Sequence, residues 1–196
     1  MSGTGMIEGL SAGFADPVGD AQSCFRTVLD AMAHPGRIGR VAGVLPPASL
    51  DAATAAVLLS LVDHETPLWL DPGAATAADW IAFHTGAPRA AIVAEAGFVV
   101  ALALPVLADL NAGGHETPEA SSTVILQLAS LRTGPCYRLS GPGLREPALF
   151  TAEGLPADFV AQWRANRRLF PRGVDLILCA GDQLAALPRT VTIEEA

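Results

Sequence analysis

Apolar residues recur in this chain with two different rhythms. From Asp16 onward they follow helical spacing, at Val18, Ala21, Phe25, Val28, Leu29 and Met32, which predicts one apolar helix face. Asp16 is placed to cap that helix and Pro17 to occupy its first position. His34-Pro35-Gly36 stops it near Ala33, because the residue before proline disfavours α geometry. Arg26 and Asp30, four apart, are expected to pair weakly on the outer side. A second helix, capped by Ser49 and covering roughly residues 50–62, is apolar on most sides and is expected to be buried. Further helices are expected at 76–84, stopped by Gly86, at 105–112, and from 156–158 through 169.

The other rhythm is short and nearly continuous. Residues 38–44, 68–70, 90–94, 98–102, 121–129 and 136–140 read as strands. The strongest signal lies in residues 170–190, FPRGVDLILCAGDQLAALPRT. Its apolar run 174–180 is too short for an amphipathic helix and lies between glycines, as a strand buried on both faces does. Gly181-Asp182 supplies a turn, 184–187 turns back, and Pro188 argues for an edge or strand-end position. Cutting the chain before Val174 is expected to prevent folding. The runs at 121–140 and at 174–187 are each split by a turn too short for a crossover, so both pairs are expected to be antiparallel. Helices alternating with strands predict an α/β fold, a mixed sheet covered by helices. Residues 1–13, rich in Gly and Ser, are expected to be a flexible lead-in to a single domain at 14–196.

Composition sharpens this picture. Of 196 residues, 51% are hydrophobic but only 6% aromatic, so the core is aliphatic. No apolar run is long enough to span a membrane. The first ten residues carry Glu8 and no basic residue, unlike a secretory signal, so a cytoplasmic protein is expected. The net charge is -8, and all 12 basic residues are Arg. Without Lys the chain can form no Schiff base with pyridoxal phosphate and no Walker-type phosphate loop. Nucleic acid is disfavoured as a partner, and no cofactor is expected. The dense cluster Arg164, Arg167 and Arg168 reads as a solvated helix face, with a partner or phosphate contact as the alternative. Cys24, Cys136 and Cys179 form no CxxC pair and read as buried reduced thiols.

Candidate chemistry is sparse. His64-Glu65-Thr66-Pro67 recurs as His115-Glu116-Thr117-Pro118. His64, Glu65, His115 and Glu116 are types that bind a divalent metal. Adjacent residues on a strand point apart, however, and no HExxH spacing occurs, so two polar turns are the plainer reading. His34 and His84 are explained by helix ends. Neither a GxSxG elbow nor a GxGxxG fingerprint is present, and Gly141-Pro142-Gly143 reads as a tight turn. Arg132, Arg138, Arg145 and Arg189 lie near strand ends, where two or more could converge on an anion. Of these, Arg138, Arg145 and Arg189 are the candidate contacts.

Four ordered segments carry a resemblance: FADPVGDAQSCFRTVLDAMAHPG, VLLSLVDHETPLWLD, HETPEASSTVILQLASL and FPRGVDLILCAGDQLAALPRT. From about residue 14 to 190 the chain resembles the PhnH family, subunits of the bacterial carbon–phosphorus lyase system. The resemblance implies a role in phosphonate catabolism, in a core complex with PhnG, PhnI and PhnJ and with an ATP-binding-cassette-like subunit. That system transfers methylphosphonate to the ribose of ATP, releasing adenine. It also implies a fold similar to the large domain of pyridoxal-phosphate-dependent transferases, without the cofactor site; the missing Lys agrees independently. No catalytic residue carries over. A subunit of this kind must offer surface, and the helix at 17–33 and the strand at 184–190 are the expected contacts. A homodimer is expected when partners are absent. The alternatives are a stand-alone phosphonate- or nucleotide-binding homodimer and a small metal enzyme using His64 and His115.

Overall fold

The computed structural model describes residues 11–196. Asp16 caps α1 (Pro17–Ala33), its Oδ1 accepting the backbone N–H of Val18 at 3.2 Å and of Gly19 at 3.1 Å. After it come β1 (Gly39–Arg40), α2 (Ala52–Leu61), β2 (Leu68–Leu70), α3 (Ala78–Thr85), β3 (Phe98–Ala101) and β4 (Thr123–Gln127). Then follow β5 (Cys136–Ser140), β6 (Ala148–Thr151), α4 (Phe159–Arg167), β7 (Asp175–Ala180), β8 (Gln183–Leu187) and β9 (Thr192–Glu195). Gly86 ends α3 at φ 66°, a left-handed conformation that glycine adopts without strain.

The main sheet has the order β1-β8-β7-β4-β3-β2. Its β2, β3, β4 and β7 are parallel, β8 pairs antiparallel with β7, and β1 pairs antiparallel with β8. β7 therefore lies inside the sheet, as its apolar run predicts. Ile177 and Cys179 face α1, α2 and α3, together with Val100, Ile125 and Ala186. Leu176 and Leu178 face the opposite side, with Val124 and Leu126, against α4 and a second sheet. The second sheet is antiparallel, in the order β6-β5-β9. Both faces of the main sheet are thus covered, which is why its strands carry unbroken apolar runs.

Several sequence expectations are corrected. β4 and β5 do not pair; β5 joins the second sheet between β6 and β9, two short strands with little apolar signal. β8 is not an edge, because β1 pairs outside it and Gly36 and Val41 donate backbone bonds to Ala186 and Asp182. Its residues Leu184 to Leu187 are all buried, so they offer no contact surface. Residues 90–94 hold a 3-10 turn (Val93–Glu95) in place of a strand, and 105–112 hold only the turn Leu107–Asp109. Asp51, not Ser49, occupies the cap position of α2, and its carboxylate accepts from Gly181 N–H at 2.7 Å. Asp30 pairs with His34 and Arg37, each at 3.1 Å, and not with Arg26.

The single apolar face expected for α1 is in fact two. Cys24, Val28 and Ala31 point into the core. Val18, Phe25 and Leu29 point outward, 80%, 44% and 52% exposed. Of the expected lead-in, residues 1–10 lie outside the described residues. Ser11 and Gly13 are already bonded to the domain, the Ser11 carbonyl accepting Trp80 Nε1–H at 3.0 Å.

Candidate functional site

Open parallel sheets usually take ligands beyond the C-terminal ends of their strands. Here polar side chains at those ends are spent on backbone. Asp71, after β2, accepts from Gly73 N–H at 2.8 Å and Leu102 N–H at 3.2 Å. Gln127, at the end of β4, accepts from Asp51 N–H at 2.7 Å. The two HETP turns lie at the opposite, N-terminal side of the parallel strands, before β2 and β4, with β3 between them. His64 and Glu65 are solvent-exposed neighbours with Nε2 and Oε1 4.0 Å apart, and His115 and Glu116 are exposed as well. Among the described residues no group of three or more His, Cys, Asp or Glu is arranged to hold a metal ion. Asp63 explains the first turn. Its Oδ1 accepts from Glu65 N–H at 3.0 Å and Thr66 Oγ1–H at 2.9 Å, and these bonds draw its pKa below the ordinary value.

The second HETP turn is held by Arg189. Its Nη1 donates to the Pro118 carbonyl at 2.9 Å and to the Pro171 carbonyl at 3.4 Å, and its Nη2 to Ser121 Oγ at 2.6 Å. Its Nε and Nη2 also donate to the Asp175 carboxylate, with Nε at 3.2 and 3.1 Å from the two oxygens. A guanidinium has five N–H donors, and these bonds occupy them. Arg189 therefore stitches three chain segments together and has no donor left for an incoming anion. Arg138 stands on β5 opposite Glu194, and Arg145 lies in the loop after β5. Neither borders the cavity that Arg189 lines, so the three expected contacts do not form one site. Arg132 donates to Gln183 Oε1 at 3.1 Å. Gly143, at φ 85°, packs against the end of α1, where a Cβ would come within 2.2 Å of the Ala33 carbonyl oxygen, so this loop is a packing turn.

Beside Arg189 lies a cavity of about 340 Å³, lined by Pro142, Arg167, Phe170, Arg189 and Thr190. Arg167 separates it from a smaller one of about 180 Å³, bordered by Trp163, Arg164, Arg168, Thr192, Ile193 and Glu194. The spacing on α4 explains the arrangement: 164, 167 and 168 fall on one helix face, while Phe159, Trp163 and Asn166 turn inward. Trp163 Nε1 donates to the Val191 carbonyl at 2.9 Å, which brings β9 against α4. Among the described residues no ion pair engages Arg164, Arg167 or Arg168.

The sequence reading missed Asp175, Ser121, Asn166 and Phe170. Asp175 could have been found from the hairpin: counting back from Gly181-Asp182 sets residue 175 opposite 188, within reach of Arg189. Cys24 and Cys179 are buried, whereas Cys136, expected to be buried too, is only half-buried; burial raises the Cys24 and Cys179 thiol pKa values above the ordinary one, and the neighbouring Ser60 and Thr54 hydroxyls offset this only in part.

These features define an α/β chain that spends Asp71 and Gln127, at the usual ligand edge of its sheet, on its own backbone and presents an apolar helix face and an arginine-lined hollow. A family profile described as bacterial phosphonate metabolism protein (PhnH) matches residues 12–194. The chain belongs to that family. It is 42% identical over 195 residues to a Rhizobium meliloti (strain 1021) protein, covering 94% of this chain and 95% of that one. That relative is named alpha-D-ribose 1-methylphosphonate 5-triphosphate synthase subunit PhnH. HtxG of Stutzerimonas stutzeri, named a provisional C-P lyase subunit, is 35% identical over 176 residues, covering 88% of this chain and 85% of its own.

Proposed function

We propose that this chain is a subunit of an alpha-D-ribose 1-methylphosphonate 5-triphosphate synthase, the assembly that transfers methylphosphonate to the ribose of ATP with release of adenine in phosphonate catabolism. The observation that carries this reading is the near full-length match to the relative of that name. Its partners are the other core subunits, PhnG, PhnI and PhnJ, and it works in the cytoplasm. Three free cysteines suit that reducing compartment. The parallel strands between helices support a likeness to the large domain of pyridoxal-phosphate-dependent transferases, and a chain without Lys offers no amine for that cofactor.

The contribution of this subunit is surface. Val18, Phe25 and Leu29 form an outward stripe on α1 that is left exposed among the described residues. The stripe docks a neighbouring subunit, and pairs with a second copy when partners are absent. Co-expression of the tagged chain with PhnG, PhnI and PhnJ, followed by native mass measurement, is expected to return a complex of defined stoichiometry. A chain that purifies without its soluble partners overturns the reading.

A further inference from the structure

We propose that the two hollows on either side of Arg167 form a binding site for a triphosphate-bearing ribose compound. The ligand class rests on the reading that this chain belongs to a synthase of a ribose 5-triphosphate; the site itself rests on the geometry.

The protein as a whole is acidic, at net charge -8, yet Arg164, Arg167, Arg168 and Arg172 gather within nine residues at the end of α4. Isolated like charges so close together repel and are costly without a counter-charge. Among the described residues no ion pair supplies one. Arg167 makes a single long bond, Nε to the Thr190 carbonyl at 3.4 Å, and the Arg172 Nε is buried with no hydrogen-bond partner. Glu194 borders the smaller hollow, and Asp158 and Glu195 border a neighbouring one with Arg164, but among the described residues none of these carboxylates forms an ion pair with the α4 arginines. The forks of Arg164, Arg167 and Arg168 are therefore available to phosphate oxygens, which guanidinium groups bind in bidentate fashion.

The larger hollow adds an apolar wall. Phe170, 62% exposed, lines it together with Arg167 and Pro142. An exposed ring next to a cluster of arginines suits a ligand with a flat or sugar portion joined to a polyanion, and exceeds what a lone phosphate needs. About 340 Å³ accommodates a small ligand of that kind, with the phosphate chain running past Arg167 into the smaller space.

The test is calorimetric titration of the full-length chain at low salt with ATP, inorganic tripolyphosphate and inorganic phosphate. ATP and tripolyphosphate are expected to bind, and phosphate to bind much more weakly. Arg167→Gln is expected to weaken both by about tenfold, equivalent to about 1.4 kcal/mol for one charge-assisted hydrogen bond. Arg167→Gln combined with Arg168→Gln should weaken both further. Phe170→Ala is expected to weaken ATP alone. All three residues are exposed, and circular dichroism confirms that each variant is folded. The inference is overturned if the wild-type chain binds neither polyanion, if phosphate binds as tightly as tripolyphosphate, or if the double arginine variant binds both unchanged. It is also overturned if that variant keeps the polyanions but loses its partner subunits, since the arginines then serve an acidic protein surface. A chain that binds tripolyphosphate but no subunit sinks only the synthase reading.

Discussion

Arg189 and Asp175 are joined twice over, the Arg189 backbone N–H donating to Asp175 Oδ1 at 2.6 Å while its guanidinium grips the same carboxylate. The pair closes the open end of the β7–β8 hairpin and, through Pro118 and Ser121, ties it to the turn that feeds β4. The two side chains are only 15% and 12% exposed, so each charge depends on the other. Removing one partner strands a largely buried charge and the donors or acceptors that faced it. Asp175→Ala or Arg189→Ala is expected to cost about 3–5 kcal/mol in urea unfolding. The double substitution is expected to cost clearly less than the sum. Strict additivity in that cycle would show that the pair is not coupled.

Asn166 links the end of α4 to the start of β7 by answering both backbone groups of Val174. Its Nδ2 donates to the Val174 carbonyl and its Oδ1 accepts from Val174 N–H, each at 2.9 Å, in a fully buried setting. Asn166→Ala orphans both groups and is expected to destabilise by about 2–4 kcal/mol. Gly173 sits beside it at φ 119°, and a Cβ there would lie 2.9 Å from Asn166 Oδ1. Gly173→Ala is therefore expected to be destabilising by a similar amount, through strain and displacement of the same amide. Thermal unfolding of both variants checks this; wild-type midpoints would show that the amide pair adds nothing.

How far the sequence discloses the fold follows from what each element needs. β7 was legible because both of its faces are covered, so its run is apolar without interruption. The cap of α1 was legible because Asp16-Pro17 is a local signal. β6 and β9 were not, since Ala148–Thr151 and Thr192–Glu195 are short and half-exposed, and their pairing with β5 is decided by long-range packing on Trp163 and Phe150. The antiparallel pairing expected for β4 and β5 failed for the same reason: a short connection permits a hairpin but does not require one. Arg189 was read from the sequence as a candidate anion contact. Its anion is the protein's own Asp175, a pairing that only the hairpin register exposes. The arginines of α4 were visible as a cluster, but their meeting with Phe170 depends on the turn that follows the helix.

The split face of α1 gives a test that separates assembly from folding. Phe25→Glu and Leu29→Glu place charge on the outward stripe and remove no core contact. Unfolding free energy is expected to stay within about 0.5 kcal/mol of wild type, whereas co-purification with the partner subunits and any self-association are lost. Val28→Asp, one residue from Leu29 but facing inward, is expected to unfold the chain by burying an unpaired carboxylate. If both glutamate variants still assemble, the stripe is not the docking face.

The absence of Lys makes the alkaline limb of stability unusually simple to interpret. Above pH 9 the side chains left to titrate are the three cysteines and the single tyrosine. Burial raises the Cys24 and Cys179 thiols above their ordinary 9.0. Burial first, and then Glu195, raises Tyr137 above its ordinary 10.0. In each case the native state holds its proton at a pH where the unfolded chain releases it, so the unfolded state binds fewer protons and stability falls as pH rises. The loss is expected to begin near pH 9, with a limiting slope of about 1.4 kcal/mol per pH unit for each group. Urea midpoints measured between pH 8 and 10.5 should trace that decline. Cys179→Ala should be less stable at pH 8 for lost packing, yet show a shallower fall toward pH 10. A parallel fall in the variant would mean that Cys179 ionises as readily in the core as in the unfolded chain, and would remove Cys179 as a cause.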